Sequence, residues 1–213
     1  MHKTFIATLG FDQSPIVRLI GEKGLSDRDE IILITTLTMH PRTESAIQSI
    51  RDFVRKISPS VEVKVVRLDE KAFVENVVTL SKLISKVSYP VIDASGGPKM
   101  LALSLYIAAC FSGIHSVHMT TETTGERVVV PALSTPNISL SDRQKEILSL
   151  LPARVSNLSK YLGISKSTVS RILRSLVQKG LIYKNPNKVY ELTLTGYIIK
   201  TLILRGEKQS RYP

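Results

Sequence analysis

The sequence predicts an α/β protein in which a mostly parallel sheet ends in an antiparallel hairpin and is followed by a small, separate α+β domain. Two observations support this fold class. Short runs rich in Ile and Val alternate with helical patterns through the first 130 residues, as in sheets whose parallel strands are joined by crossover helices. A proline-containing polar stretch then precedes a segment with its own helix start signal and a very different charge.

Each element of the sheet domain is predicted from its apolar pattern. The strands are 3–9, 30–36, 61–66, 90–94, 115–119 and 127–130, and the helices are 14–22, 41–57, 70–87 and 98–112. Only "TTETTGE" separates the last two strands, which is too short for a crossover and indicates a hairpin. The helix at 98–112 holds an apolar run of about 15 residues, short of the roughly 20 that span a bilayer. We therefore expect it to be buried in a core and expect no membrane partner.

Charge separates the two parts of the chain. Residues 1–138 carry 15 Lys and Arg against 14 Asp and Glu, a net +1, whereas residues 139–213 carry 14 against 4, a net +10. We predict domains at 1–130 and 139–213 with a linker at 131–138. The asymmetry favours a polyanion as the partner of the second domain. A single cysteine and an N-terminal apolar stretch too short for a signal peptide favour a cytoplasmic protein.

The second domain contains two helices around a tight "LGIS" turn, two short strands and a last helix. The predicted inner face of the first helix consists of Leu158, Tyr161 and Leu162, and that of the second of Val169, Ile172, Leu173 and Leu176. Ser165 is predicted to cap the second helix. Its outer face carries Ser167, Ser170, Arg171 and Arg174, side-chain types that reach base edges and phosphates from the major groove. A solvated helix face is the alternative interpretation.

These features, with the charge, resemble a winged helix-turn-helix domain of archaeal and bacterial regulators, over residues 139 to about 205. The resemblance implies double-stranded DNA as partner, a recognition helix from Ser165 to Arg174 and a wing tip at residues 185–188. The predicted DNA-binding residues are Ser165, Lys166, Ser167, Thr168, Ser170, Arg171, Arg174, Lys184, Asn185 and Lys188.

Two loops of the first domain carry the predicted ligand site. Open α/β sheets bind ligands at the carboxyl ends of their strands, where "LGFDQSP" (9–15) and "ASGGPK" (94–99) follow the first and fourth strands. Glycines let a ligand approach the backbone, and the free N–H groups of a helix start favour an anion. Pro98 is expected to be the first helical residue, and Lys99 adds a positive charge. The alternative is that Gly96 and Gly97 only turn the chain.

Several other chemistries are excluded or lack support. There is no GxxxxGK[ST] run for a P-loop, no G-x-G-x-x-G, and no acidic residue after the second strand to grip a ribose. His115 and His118 are three apart in a predicted strand, so they point to opposite faces and cannot share a metal. We predict no metal, no cofactor and no catalytic residue.

The "TLGFD" loop, the "SGGPK" loop and the C-terminal winged helix together resemble the archaeal CRISPR-associated transcription regulators of the Csa type. In that family an N-terminal CARF domain (CRISPR-associated Rossmann fold) precedes the DNA-binding domain. The resemblance implies a Rossmann-like fold and a homodimer that binds one cyclic oligoadenylate, most simply cyclic tetra-adenylate, at its dyad. A ring with rotational symmetry suits an isologous interface.

The ligand residues carried over from the resemblance are Leu9, Gly10, Phe11, Asp12, Ser14, Thr36, Ser95, Gly96, Gly97, Pro98 and Lys99. Phe11 either stacks on an adenine or belongs to the core. The function implied is a transcription regulator without enzymatic activity. The alternatives are a ring nuclease that cleaves cyclic tetra-adenylate and a regulator that senses a different nucleotide.

Overall fold

The structure, a computed structural model, describes residues 2–38, 40–132 and 139–209. The chain forms two compact units, Met1–Thr135 and Pro136–Pro213. Most of the predicted linker, residues 133–138, lies outside the described residues. In the described part of the chain, no helix is both long and apolar enough to cross a membrane.

The first unit is built on one six-stranded sheet. Its strands are β1 (Thr4–Thr8), β2 (Glu30–Thr36), β3 (Glu62–Leu68), β4 (Pro90–Asp93), β5 (Ser116–Thr120) and β6 (Arg127–Pro131). Their order is β3-β2-β1-β4-β5-β6. Every neighbouring pair is parallel except β5 with β6. The predicted fold class, a Rossmann-like sheet with a terminal antiparallel hairpin, is confirmed.

Four helices cover the two faces of this sheet: α1 (Ser14–Lys23), α2 (Pro41–Ile57), α3 (Phe73–Ile84) and α4 (Lys99–Phe111). From β1 the chain adds β2 and then β3 on one side of the sheet. It then crosses back over the sheet to β4, on the other side of β1, and continues in that direction to β5. Since crossovers are right-handed, α1 and α2 lie on one face and α3 lies on the opposite face. Phe5 and Leu33 pack in one buried cluster with residues of α1 and α2, whereas Ile6, next along β1, is buried on the other face.

Two local predictions are corrected. The turn after β3 occupies residues predicted to be helical, because the Asp69 carboxylate accepts the Lys71 N–H at 3.0 Å and the Asp69 carbonyl accepts the Asn76 side-chain amide at 2.7 Å. The helix α3 therefore begins at Phe73 and not at residue 70. His115 precedes β5 and is not part of it.

The helix α4 is only half buried. Leu101 and Leu105 are fully buried, but Met100 and Leu103 are 42% and 46% exposed. The prediction that this apolar helix is buried in a core is therefore correct for one face of α4. It is wrong for the opposite face, which is exposed in the single chain.

In the described residues 139–209, the second unit holds four helices and a short hairpin: α5 (Asp142–Ser149), α6 (Val155–Leu162), α7 (Lys166–Gln178), β7 (Ile182–Lys184), β8 (Tyr190–Leu192) and α8 (Leu194–Gln209). Ser141 and Gln144 form a capping box at the start of α5. Leu158, Val169, Leu173 and Leu176 are buried as predicted. Tyr161 is 73% exposed. The prediction that it faces inward is wrong, because the buried face of the short α6 is centred on Leu158 and Tyr161 lies at its edge.

Candidate functional site

Two loops meet where the strand order reverses. β1 lies between β2 and β4, and the carboxyl ends of such neighbours form the crevice in which open α/β sheets bind ligands. The β1 loop (residues 9–13) and the β4 loop (residues 94–98) leave the sheet at this point. The topology therefore brings together the two segments singled out in the sequence.

The glycines of the two loops allow backbone to pack on backbone. A Cβ atom on Gly96 would lie 2.6 Å from the Thr8 carbonyl oxygen, and one on Gly10 would lie 3.0 Å from Gly97 Cα. Gly97 also has a φ of +77°, which favours glycine. The alternative that Gly96 and Gly97 only turn the chain is therefore incomplete, because they also seat the β4 loop on the end of β1.

A cavity of about 730 Å³ opens beside this contact. Six predicted ligand residues line it, namely Leu9, Gly10, Phe11, Thr36, Gly97 and Pro98. The other lining residues are Thr35, Leu37, Thr38, His40, Thr43, Leu68, Asp69, Glu70 and Lys71. The lining thus combines threonines, two acidic residues and a lysine with apolar side chains, a composition suited to a sugar and a heteroaromatic base.

Phe11 belongs to the cavity and not to the core. Its side chain is 50% exposed, and its ring centroid lies 4.7 Å from that of His40 and 4.6 Å from the Arg42 guanidinium carbon. His40 is the N-cap of α2, and its Nδ1 accepts the Arg42 N–H at 3.2 Å. The β1 loop and the start of α2 therefore form one aromatic and cationic surface at the cavity.

The other predicted ligand residues lie outside the cavity lining. The Asp12 carboxylate accepts the Ser14 N–H at 2.9 Å, and this hydrogen bond is the main reason that its pKa is lowered. The Ser95 N–H donates to Asp93 at 2.8 Å, and its hydroxyl accepts a hydrogen bond from Thr120 at 3.0 Å. These groups shape the loops. Gly96 packs against β1, and Lys99 is exposed at the start of α4.

Pro98 is the N-cap of α4, with φ −61° and ψ 137°, and not its first helical residue as expected. A proline at N1 would lack only an N–H that the helix leaves free anyway. Because Pro98 is the N-cap, the first two helical residues are Lys99 and Met100, and their N–H groups are free at the helix start. The Leu101 N–H already donates to the Pro98 carbonyl at 3.0 Å.

Apart from Thr36 at the end of β2, the predicted ligand residues do not include the loops after β2 and β3. His40, Arg42 and residues 69–71 were not predicted, although they follow strands at the same sheet edge. The predicted topology could have indicated these loops, since all parallel strands have their carboxyl ends at that edge of the sheet. Within the described residues no group of three His, Cys, Asp or Glu side chains is placed to hold a metal ion.

The predicted DNA-binding residues of α7 lie at one exposed side of the second unit. Ser167, Arg171 and Arg174 are exposed, and Ser170 is partly buried. Ser165 caps the helix as predicted, because its hydroxyl accepts the Thr168 N–H at 3.2 Å. The tight turn before α7 contains Gly163 in the left-handed conformation.

The wing is the β7–β8 hairpin, and Ala153 adds a bridge to Tyr190. Lys184 and Lys188 are exposed. The Asn185 side chain is used inside the wing: its amide N–H donates to Glu191 at 2.6 Å and its amide oxygen accepts the Val189 N–H at 3.0 Å. Asn185 therefore closes the hairpin, whereas the two lysines present charge.

Residues 3–131 match the Csa3 CRISPR-associated Rossmann-like domain, which is more than half of the chain. The protein belongs to the Csa3 family. Residues 144–189, from α5 to the wing, match the MarR family. This chain is thus a Csa3-family CRISPR-associated regulator with a winged-helix domain, as the sequence resemblance implied.

Solved structures resemble this Csa3-family chain at low identity. Can2 from Sulfobacillus thermosulfidooxidans, in complex with cyclic tetra-adenylate, is 14% identical with a TM-score of 0.45 over 100% of this chain and 69% of its own. Protein VC1899 from Vibrio cholerae is 14% identical with a TM-score of 0.44, covering 97% and 68%. Csm6 from Enterococcus italicus, bound to cyclic hexa-2'-fluoro-hexa-dAMP, is 10% identical with a TM-score of 0.45, covering 81% and 48%. No curated protein matches the chain.

Proposed function

We propose that the protein is a homodimeric, cytoplasmic transcription regulator that binds promoter DNA of a CRISPR locus through α7 and the wing, and that senses cyclic tetra-adenylate. The observation that carries this proposal is the cavity formed where the β1 and β4 loops meet, in a chain that continues into a winged helix.

The cavity has the groups that an adenylate requires. Phe11 offers an exposed ring on which a base stacks. Asp69 and Glu70 are acceptors for an exocyclic amine, and Thr36 and Thr38 are partners for ribose hydroxyls. The free N–H groups at the start of α4 and the positive charge of Lys99 favour a phosphate beside the cavity.

The outer face of α4 supports a homodimer. Met100, Leu103 and, on neighbouring β6, Val128 are each more than 40% exposed, and an apolar face of this kind is normally covered by another surface. The β4 loop leads directly into α4. Pairing of two such helices about a dyad would bring two β4 loops together, which suits a ligand with internal rotational symmetry.

Titration calorimetry with cyclic and linear oligoadenylates tests the ligand. We expect saturable binding of cyclic tetra-adenylate, and a loss of about fivefold or more in Phe11→Ala, because stacking of a base on an aromatic ring contributes about 1–3 kcal/mol. Ile57→Ala is the matched control, since Ile57 is an exposed apolar residue of α2 that does not line the cavity. If a different nucleotide binds more tightly than cyclic tetra-adenylate, the proposed ligand is wrong.

Recovery of duplexes from a randomised pool tests DNA binding. Arg171→Ala with Arg174→Ala should weaken binding of the selected duplex and flatten its salt dependence by about 0.9 for each phosphate that is no longer neutralised. Arg143→Ala with Lys145→Ala removes the same charge from α5, where both side chains pair with acids, and should have a smaller effect. Equally weakened binding in the two double variants would show that only net charge matters.

We also propose that the protein senses the ring without cleaving it. After prolonged incubation, radiolabelled cyclic tetra-adenylate should be recovered intact by chromatography. A linear product that forms with wild type and not with Phe11→Ala would establish the ring nuclease instead.

A further inference from the structure

The β5–β6 hairpin (residues 116–131) contacts the β4 loop and the helix that follows the β1 loop, and it is the last described element before the chain enters the second unit. On the β4 side, Thr120 donates a hydrogen bond to Ser95 at 3.0 Å, and Ser95 is also held by Asp93 at 2.8 Å. Asp93 lies opposite His118 in the β4–β5 register. The hairpin therefore fixes the base of the β4 loop.

On the β1 side, the hairpin holds the helix that follows the β1 loop. Arg127 donates to the Pro15 carbonyl at 2.7 Å and pairs with Glu22 of α1 at 2.5 Å. Arg18 of α1 donates to the Gly125 carbonyl, in the hairpin turn, at 3.0 Å. A shift of α1 on ligand binding would thus pull on the hairpin turn and on the start of β6.

Beneath these contacts lies a buried polar cluster whose hydrogen bonds are incomplete. Asp93 Oδ2, His118 Nδ1 and Arg127 Nε are buried, and none has a partner among the described protein atoms. Nearly all buried polar atoms in folded proteins have partners. These groups are therefore able to form new hydrogen bonds with one another if β4 or β6 moves.

We infer that the β5–β6 hairpin couples the ligand loops to the DNA-binding unit, and that Arg127 is the positioning residue that joins α1 to β6. This inference rests on the proposed function and deepens it. Neither Arg127 nor Arg18 lines the cavity. Their removal should therefore spare ligand affinity and abolish only the response.

The test compares wild type with Arg127→Gln, Arg18→Gln and the control Arg55→Gln, which alters an exposed residue of α2. Calorimetry measures the dissociation constant for cyclic tetra-adenylate, and fluorescence anisotropy measures the affinity for a selected duplex with and without saturating ring. We expect wild type and Arg55→Gln to change duplex affinity about fivefold or more on ligand binding. In Arg127→Gln we expect a change below about twofold with ligand affinity within about threefold of wild type.

The outcomes separate the two proposals. A wild type that does not bind the ring, or whose duplex affinity does not respond to it, overturns the proposed function and the inference with it. A responsive wild type together with unaltered responses in Arg127→Gln and Arg18→Gln overturns the inference alone. If circular dichroism shows that Arg127→Gln does not fold, Arg18→Gln and Thr120→Val test the inference in its place. Each should reduce the change in duplex affinity on ligand binding.

Discussion

At the scale of single residues, small side chains and loop hydrogen bonds shape the candidate ligand site. Gly10, Gly96 and Gly97 let the β1 and β4 loops touch through their backbones. Asp12 and Ser95, whose predicted ligand contacts stay a prediction, hold the loops in shape through hydrogen bonds with Ser14 and Asp93. The site is therefore organised by its own backbone before any ligand arrives, which lowers the entropic cost of binding.

Gly96→Ala tests this close packing. The added Cβ would lie 2.6 Å from the Thr8 carbonyl oxygen, so β1 and the β4 loop must separate, at a cost of about 1–3 kcal/mol. We expect faster hydrogen exchange in peptides from β1 and β4 and weaker binding of cyclic tetra-adenylate. Gly21→Ala is the control, because nothing lies within 4 Å of its added Cβ and alanine stabilises a helix. Normal ligand binding by Gly96→Ala would contradict the packing argument.

His118 gives the first unit a defined dependence on pH. Burial, then the charges of Lys23 and Arg127, lower its pKa below the usual 6.5. The unfolded chain therefore takes up a proton on His118 more readily than the folded chain, and the free energy of unfolding should fall as the pH drops below about 6.5. We expect His118→Gln to reduce this loss, measured as hydrogen exchange of β4 and β5 between about pH 7 and pH 5 with correction for intrinsic rates.

Asp93 acts in the opposite sense, because burial raises its pKa. Its contribution to stability is fully present below its unfolded pKa and is lost as the pH rises through the folded value. The charge of His118 also acts on the pKa of Asp93, so the comparison of wild type with His118→Gln is repeated in an Asp93→Asn background. Identical pH dependence in the two proteins would exclude His118 as the titrating group.

At the scale of elements, α7 combines a structural role with the proposed DNA-binding surface. Val169, Leu173 and Leu176 bury one side of the helix, and the arginines occupy the other. Ser165 connects the two roles, since it caps the helix at the end that is predicted to meet DNA.

Ser165→Ala should lower the free energy of unfolding of the second unit by about 1 kcal/mol, because the hydrogen bond that caps the Thr168 N–H is removed. Ser165→Asp retains an acceptor and should keep the stability, but its negative charge should weaken duplex binding. Urea denaturation followed by circular dichroism measures stability, and anisotropy with a selected duplex measures DNA binding. Unchanged stability in Ser165→Ala would show that the cap contributes little.

At the scale of the whole molecule, the distribution of apolar surface and of charge separates the tasks of the two units. The first unit has almost no net charge and an exposed apolar helix face, whereas residues 139–213 carry a net charge of +10. Association with a second copy suits the former, and association with DNA suits the latter.

Leu103→Glu tests the assignment of α4 to a dimer interface. A carboxylate on this face would have to be buried without a partner in the dimer, so we expect the variant to sediment as a monomer in analytical ultracentrifugation while the wild type sediments as a dimer. Ile57→Glu, on the equally exposed end of α2, should leave the dimer intact. A dimeric Leu103→Glu would place the interface elsewhere.

The sequence by itself determined the order of strands and helices, the division of charge and the two glycine loops. These follow from local periodicity, turn chemistry and composition, which are readable within a few residues of each position. The start of α3 was predicted wrongly because it depends on hydrogen bonds made by Asp69.

Only the tertiary structure decided which residues share the cavity. His40 and residues 69–71 join Phe11 in the lining because parallel strands bring separate loops to one sheet edge, and Arg42 contacts the Phe11 ring from outside the lining. Ser95 and Lys99, although neighbours of Gly97 in sequence, also lie outside the lining. The contacts of Arg127 with α1 likewise link residues far apart in the chain. Proximity of this kind arises from the packing of helices on a sheet, and no local pattern encodes it.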